Sequence, residues 1–119
     1  MKLLRHGEFG QEKPGIIDQD GKIRDLSKHI SDINGDTICS DGLKKISAID
    51  LSSLPIIPDN TRLGACVGSV GKFLCIGLNY SDHAAESGLP VPSEPILFSK
   101  ATSAIVGPND KVEIPRNSS

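Results

Sequence analysis

Prolines and glycines divide this chain of 119 residues into two regions. The stretch from residue 50 to residue 71 is typical of a linker. Its breaking residues are Pro55, Pro58, Gly64, Gly68 and Gly71. Such a shift in composition favours a domain boundary near residue 70, because backbone of this kind seldom continues a regular element. We therefore expect a small N-terminal domain with its linker at residues 1–70, and the start of a second domain at residues 71–119.

The N-terminal region has the pattern of a small, mostly β structure with short helices. Residues 2–7 (KLLRHG) and 13–18 (KPGIID) predict a hairpin, and the Asp20-Gly21 turn signal predicts a third strand in GKIRDLS. A short helix is predicted near residues 26–33, followed by a turn at Asn34-Gly35. A second helix is predicted at residues 40–48, opened by Ser40 or Asp41. The expected fold class is therefore α+β, mostly β.

Composition predicts which residues form the core and whether the cysteines are paired. Aromatic residues make up 3% of the chain and there is no tryptophan, so the core is expected to consist mainly of Ile, Leu and Val. The three cysteines, Cys39, Cys66 and Cys75, are widely spaced and form no C-x-x-C pair. We expect buried reduced thiols, because a free cysteine behaves as a small hydrophobic residue.

Charge and hydropathy exclude two classes of partner. The net charge is −2, with 13 basic and 15 acidic residues, and no Lys/Arg cluster alternates with aromatics, so nucleic-acid binding is not expected. No run approaches the roughly 18 apolar residues that span a bilayer, and the N-terminus lacks the apolar segment of a secretory signal. A cytoplasmic protein without a membrane partner is the expectation.

A histidine and a glutamate three residues apart give the strongest chemical signal. His83 and Glu86 lie between the apolar run FLCIGL at residues 73–78 and a proline-rich stretch. Residues three apart are neighbours on a helix, so the carboxylate could orient the imidazole and raise its basicity, as a general base requires. Many exposed ion pairs with this spacing have no function. Spacing alone therefore leaves a solvated pair and a catalytic dyad both open.

The flanking residues favour a site. FLCIGL predicts a buried strand, and Ser81 or Asp82 could cap a short helix that Gly88 ends. Three prolines, Pro90, Pro92 and Pro95, prevent its continuation. A histidine one turn after a strand, on a helix held by loops, lies where sites usually form. His6 and His29 have no carboxylate or cysteine at ligand spacing, and are expected to be surface or satisfied structural residues.

The order of these motifs resembles the fumarylacetoacetate hydrolase superfamily from Lys72 to Arg116. Members share a strand ending in G-x-N-Y, then D-H-x-x-E, P-x-x-P and an F-x-K strand. The matching residues are Gly77, Asn79, Tyr80, Asp82, His83, Glu86, Pro92, Pro95, Phe98 and Lys100. Residues 103–115 (SAIVGPNDKVEIP) look like the family's next strand pair. The N-terminal part is similar to bacterial members labelled ureidoglycolate lyase or 2-hydroxyhepta-2,4-diene-1,7-dioate isomerase.

The resemblance implies a fold and a reaction. Residues 71–119 would begin the catalytic domain, an FAH-type mixed β-sandwich roll that is incomplete in this chain. Substrates would be small 2-oxo acids or 1,3-dicarbonyl compounds in a hydrolase, lyase or isomerase. His83 and Glu86 would be catalytic, and Asn79, Tyr80 and Lys100 would bind substrate. Two other interpretations are equally good: Tyr80 could be a turn residue, and Lys100 could be a solvated strand end.

The resemblance also implies a metal and a partner. Family members hold Mg²⁺ or Mn²⁺ with an E-x-E pair and a later aspartate, all of which would fall beyond Ser119. The chain is therefore expected to be the N-terminal portion of a longer enzyme, inactive by itself, with no metal ligand of its own. The longer protein is expected to form a homodimer.

Two other classes of function remain open at this point. The chain could be a stand-alone binding or regulatory domain, or the leading region could be an interaction module with a vestigial enzyme-like tail. Reading the coding sequence past Ser119 distinguishes them, because an E-x-E strand would complete the metal site and a stop codon would leave a base without a metal.

Overall fold

The computed structural model describes residues 1–118 and divides them into two compact units. The first unit consists of Met1–Ser69 together with residues 106–118, and the second is Val70–Ile105. The chain thus leaves the first unit after residue 69 and rejoins it at residue 106. The predicted domains at residues 1–70 and 71–119 stay a prediction, and Ser119 lies outside the described residues.

The first unit is built on a four-stranded antiparallel sheet in the order β1-β2-β3-β4. Its strands are Lys2–His6 (β1), Lys13–Ile17 (β2), Ile23–Asp25 (β3) and Ile56–Ile57 (β4). The predicted hairpin and third strand are confirmed. In the β2–β3 turn the Asp18 carboxylate accepts the Asp20 and Lys22 amides at 3.0 and 2.9 Å, and Gly21 adopts a φ of 78°. That left-handed conformation suits glycine, which explains the Asp-Gly signal.

Two short helices follow the third strand. They are α1 (Gly35–Ile38) and α2 (Ser40–Ser47). The predicted turn at residue 34 is instead a helix start, because the Asn34 side chain accepts the Thr37 amide at 3.1 Å. Cys39, rather than Ser40 or Asp41, caps α2 through its sulfur.

The helix predicted near residues 26–33 is wrong. Its first residues form a single turn, in which the Leu26 carbonyl accepts the His29 and Ile30 amides. The Asp25 carboxylate accepts the Ser27 amide, and Asp32 binds Arg5, twenty-seven residues away, at 2.6 Å. Local capping and this distant ion pair hold the segment in an irregular conformation.

The core of the first unit joins α2 to the sheet. Its buried cluster is Ile16, Leu26, Ile46 and Leu54, with Leu3, Ile30, Ile49 and Leu51 packed against it. The core predicted from Ile, Leu and Val is confirmed for Ile and Leu, and this cluster contains no Val. The expectation of buried thiols is wrong, since Cys39 and Cys66 are exposed and Cys75 is half-buried. Cys39 lies at a helix start, where its sulfur serves the backbone rather than the core.

A network of charged residues holds residues 106–110 within the first unit. Arg62 donates to both Asp110 carboxylate oxygens, at 2.8 and 2.7 Å, and to Glu12 at 2.9 Å. The Asp110 carboxylate also accepts the Gly107 amide at 2.7 Å. Because these contacts fold the backbone into a turn, the strand pair expected within residues 103–115 does not form.

The second unit is a two-stranded antiparallel sheet with one helix. Its elements are Phe73–Gly77 (β5), Ser81–Glu86 (α3), Ile96–Lys100 (β6) and a 3₁₀ turn at Thr102–Ala104. The prediction that FLCIGL is a buried strand is wrong about burial, because the residues of β5 alternate between half-buried and exposed. The apolar side chains that stay 43–64% exposed on this sheet are Leu74, Ile76, Ile96, Leu97 and Phe98.

Together the elements give the predicted α+β class. A two-stranded sheet is marginally stable unless further strands or a helix cover it. The exposed apolar side chains of the second unit show that its sheet is not covered within residues 70–105. No helix of residues 1–118 is long and apolar enough to cross a membrane.

Candidate functional site

The helix that carries His83 is positioned by its two ends and one buried residue. Ala84 is fully buried and fixes the inner side of α3, whereas His83 and Glu86 are exposed. The helix ends as predicted at Gly88, whose φ of 66° is left-handed. The Leu89 amide donates to the Ala84 carbonyl, and the Gly88 amide to that of Ala85, both at 3.0 Å. This pair of hydrogen bonds is a Schellman motif, which stops a helix sharply.

The start of α3 differs slightly from the prediction. Tyr80 is the N-cap residue, in place of Ser81 or Asp82, and its side chain makes no capping hydrogen bond. The Asp82 carboxylate instead accepts the amide of His83 at 2.8 Å. The negative charge therefore lies in the first turn of the helix, where it is favourable.

His83 and Glu86 share this short helix, but their side chains are not bonded to each other. In the part of the chain that the structure describes, no hydrogen bond or ion pair joins the two side chains. Both side chains are exposed, and residues three apart on a helix are neighbours, so a contact between them is geometrically accessible. The catalytic pairing of His83 and Glu86 stays a prediction.

The structure brings two of the three predicted substrate-binding residues next to this helix. Asn79 and Tyr80 directly precede α3 and are exposed, Tyr80 at 72%. Lys100 lies at the opposite end of the sheet, because it pairs with Phe73, whereas Ile96 pairs with Gly77 where the chain turns to α3. Four residues along a strand span about 13 Å. The Lys100 ammonium lies 6.0 Å from the centre of the Phe73 ring.

The described residues do not form a metal site. Across residues 1–118, no three side chains of His, Cys, Asp or Glu converge in a way that could hold an ion. The described residues therefore do not fit Mg²⁺ or Mn²⁺, and the metal that the resemblance implies stays a prediction.

Sequence reasoning missed the environment of His6. Its side chain is buried, at 4% exposure, and its Nε2 has no hydrogen-bond partner among the described residues, whereas His29 is exposed as expected. The available signal was the alternation along β1, which places Leu4 and His6 on the same side of the strand. The expectation of a satisfied or surface histidine is therefore wrong for His6.

One protein family matches the segment that contains α3. Residues 72–119 match the family described as fumarylacetoacetate (FAA) hydrolase, C-terminal. The match begins next to β5 and includes all of α3 and β6. It therefore covers the helix that carries His83 and Glu86 and both strands of the second unit.

Longer bacterial proteins match nearly the whole chain. A "putative hydrolase" of Burkholderia lata is 59% identical over 118 residues, which cover 99% of this chain and 42% of that protein. Similarly named proteins of Burkholderia multivorans and Burkholderia ambifaria are each 58% identical, with the same coverage. The chain thus spans about two fifths of the length of these curated relatives. The chain is thus similar to this family over residues 72–119, and to these bacterial proteins over nearly its whole length.

Proposed function

We propose that this chain is the N-terminal portion of a fumarylacetoacetate hydrolase superfamily enzyme whose general base is His83. The reaction would be a hydrolysis, lyase cleavage or isomerisation of a small 2-oxo acid or 1,3-dicarbonyl compound. One observation supports it most: the family match over residues 72–119 contains a helix that exposes His83 and Glu86 while Ala84 anchors it. A base must be accessible to its substrate, and this arrangement provides that access.

The proposed chemistry of the chain's own residues is proton transfer. The His83 imidazole would take a proton from water in a hydrolase, or from the carbon beside a carbonyl group in an isomerase. Glu86, one helical turn away, would rotate to accept the other ring N–H and so fix the tautomer. The Schellman end at Gly88 limits movement of the backbone beneath both residues.

The proposed substrate contacts are not equally supported. Asn79 and Tyr80 adjoin α3 and can offer an amide and a phenol to a carbonyl or carboxylate oxygen. Lys100 lies about 13 Å along the strand from this end of the sheet, so its role as a carboxylate ligand has weaker support.

Other parts of the proposal concern the longer protein. Its catalytic domain would be the mixed β-sandwich roll, and it would act as a cytoplasmic homodimer. Mg²⁺ or Mn²⁺, held by residues outside 1–118, would serve as a Lewis acid. Two specific activities included in this proposal are those of ureidoglycolate lyase and 2-hydroxyhepta-2,4-diene-1,7-dioate isomerase.

A chimeric enzyme tests the proposal. Residues 1–119 would replace the matching 118 residues of the Burkholderia lata relative, and the product would be assayed on acylpyruvates, oxaloacetate, ureidoglycolate and a 1,3-diketone, with Mg²⁺ or Mn²⁺ and with EDTA. We expect turnover of at least one compound and its loss with EDTA. His83→Ala should lower kcat by about 10²–10⁴. His29→Ala, which changes an exposed histidine of the first unit, is the matched control.

Each outcome of this assay has a distinct meaning. A fully active His83→Ala chimera would contradict the assignment of the base. A chimera that folds and turns over none of these compounds would contradict the substrate class. Turnover that persists in EDTA would contradict the metal.

A further inference from the structure

His6 occupies an unusual position at the end of β1. The ring is buried and Nε2 has no partner among the described residues. It packs against Gly15 of β2, where a Cβ atom would lie 3.0 Å from the ring Cδ2 and 2.9 Å from Leu4 Cδ1. The other side of His6 pairs with Leu63 in an isolated antiparallel bridge. The ring is thus enclosed, and β2 leaves room for it only because residue 15 is glycine.

Burial in this position disfavours the charged imidazole. A protonated ring would carry a second N–H donor, and placing an unpaired charged donor in the interior is costly. Desolvation accordingly lowers the pKa of His6, although Asp25 of β3 and the Pro14 carbonyl favour the protonated form. Lys13, opposite His6 on β2, acts in the same direction as burial.

The two arginines next to His6 and next to its bridge partner are already paired. Arg5 precedes His6 on β1, and Arg62 precedes its bridge partner Leu63. Their carboxylate partners are Asp32, Glu12 and Asp110. A protonated His6 therefore faces Asp25. Among the described residues, Asp25 is the only carboxylate facing His6 that has no guanidinium partner.

We propose that His6 is an acid-sensitive switch in the first unit: the folded sheet holds its ring neutral, and protonation of the ring on acidification loosens that sheet. The device needs no ligand. It rests on enclosure by β1, β2 and the segment around Leu63, and it is independent of the proposed catalytic role of His83.

The direction and pH range of the effect follow from linkage. An unfolded histidine binds a proton below a pKa of about 6.5, and the folded ring does so only at lower pH. The contribution of His6 to stability is therefore complete above about pH 6.5 and declines as the pH falls below it. The limit for one proton is about a tenfold rise in the unfolding equilibrium constant per pH unit. Carboxylates with lowered pKa values, such as Asp18 and Asp110, act at more acidic pH, below about 4.

Urea unfolding of the chain between pH 5 and pH 8 tests the proposal. Because the chain has no tryptophan, amide NMR signals of β1 and β2 provide the readout for the first unit. We expect the unfolding constant to rise up to about tenfold per pH unit below about pH 6.5 in the native chain. His6→Gln should remove that rise, and His29→Gln, at an exposed histidine, should keep it.

A second measurement keeps the proposal testable if His6→Gln does not fold. Titration of the His6 ring carbon protons by NMR in the unmodified chain gives its pKa directly. A value below 6.5 supports the switch. A value at or above 6.5, or equal pH dependence in the native chain and His6→Gln, overturns it.

Discussion

Replacing Ile46 by alanine should remove a large part of the stability of the first unit. Ile46 of α2 is 1% exposed and belongs to the buried cluster with Ile16, Leu26 and Leu54. The substitution deletes three carbons, worth about 2.4 kcal/mol of transfer free energy at about 0.8 kcal/mol each. The cavity left behind adds to this loss, so about 3 kcal/mol is expected, within the range of about 2–5 kcal/mol for such changes.

The matched control is the same substitution at Ile38. Ile38 lies in α1 and is 45% exposed, so its replacement by alanine should change the free energy of unfolding by less than about 1 kcal/mol. Urea unfolding followed through the β1 and β2 amide signals measures both variants. Equal losses for Ile46→Ala and Ile38→Ala would refute the packing of α2 on the sheet.

Two further substitutions test the site helix and the charged network. Gly88→Ala forces a Cβ into a left-handed φ of 66° and should weaken the end of α3 by about 1 kcal/mol, seen as faster amide exchange at Leu89, whereas Gly71→Ala, in open space, should not. The Arg62 guanidinium lowers the pKa of Asp110. The Asp110 carboxylate therefore stabilises the first unit fully above its unfolded pKa of about 3.9. This stabilisation is lost as the pH falls through the lower pKa of the folded state. Asp110→Asn should therefore lower the melting temperature at pH 7 more than at pH 3, and more than the control Asp59→Asn at an exposed pair; equal shifts would contradict the role of the network.

Local signals allowed some of the regular elements to be predicted from the sequence. The Asp20-Gly21 turn specified the β2–β3 connection, and Gly88 specified the end of α3. Each acts through backbone conformations that few other residues adopt. The strands β2 and β3 and the end of α3 are therefore placed correctly.

Distant contacts explain what sequence reasoning missed. The segment near residues 26–33 is not helical because Asp32 binds Arg5, twenty-seven residues away on β1. The predicted linker contains β4, which pairs with β3, and Leu63, which pairs with His6. Neither partner is near in sequence, and no periodicity reveals such pairings.

In the candidate site, too, the local features could be predicted and those that depend on distant contacts could not. The short helix, its end and its position after β5 were predictable from local residues. The separation of Lys100 from α3 was not, because it depends on the register of β5 with β6. The contact of His83 with Glu86 depends on side-chain rotation and stays a prediction.

The most direct test of the central claim is the ratio of kcat/KM between His83→Ala and His29→Ala in the chimera with the Burkholderia lata relative. If His83 is the general base of a fumarylacetoacetate hydrolase superfamily enzyme, the ratio should be about 10⁻² to 10⁻⁴. A ratio near one, with both variants folded, would contradict that claim.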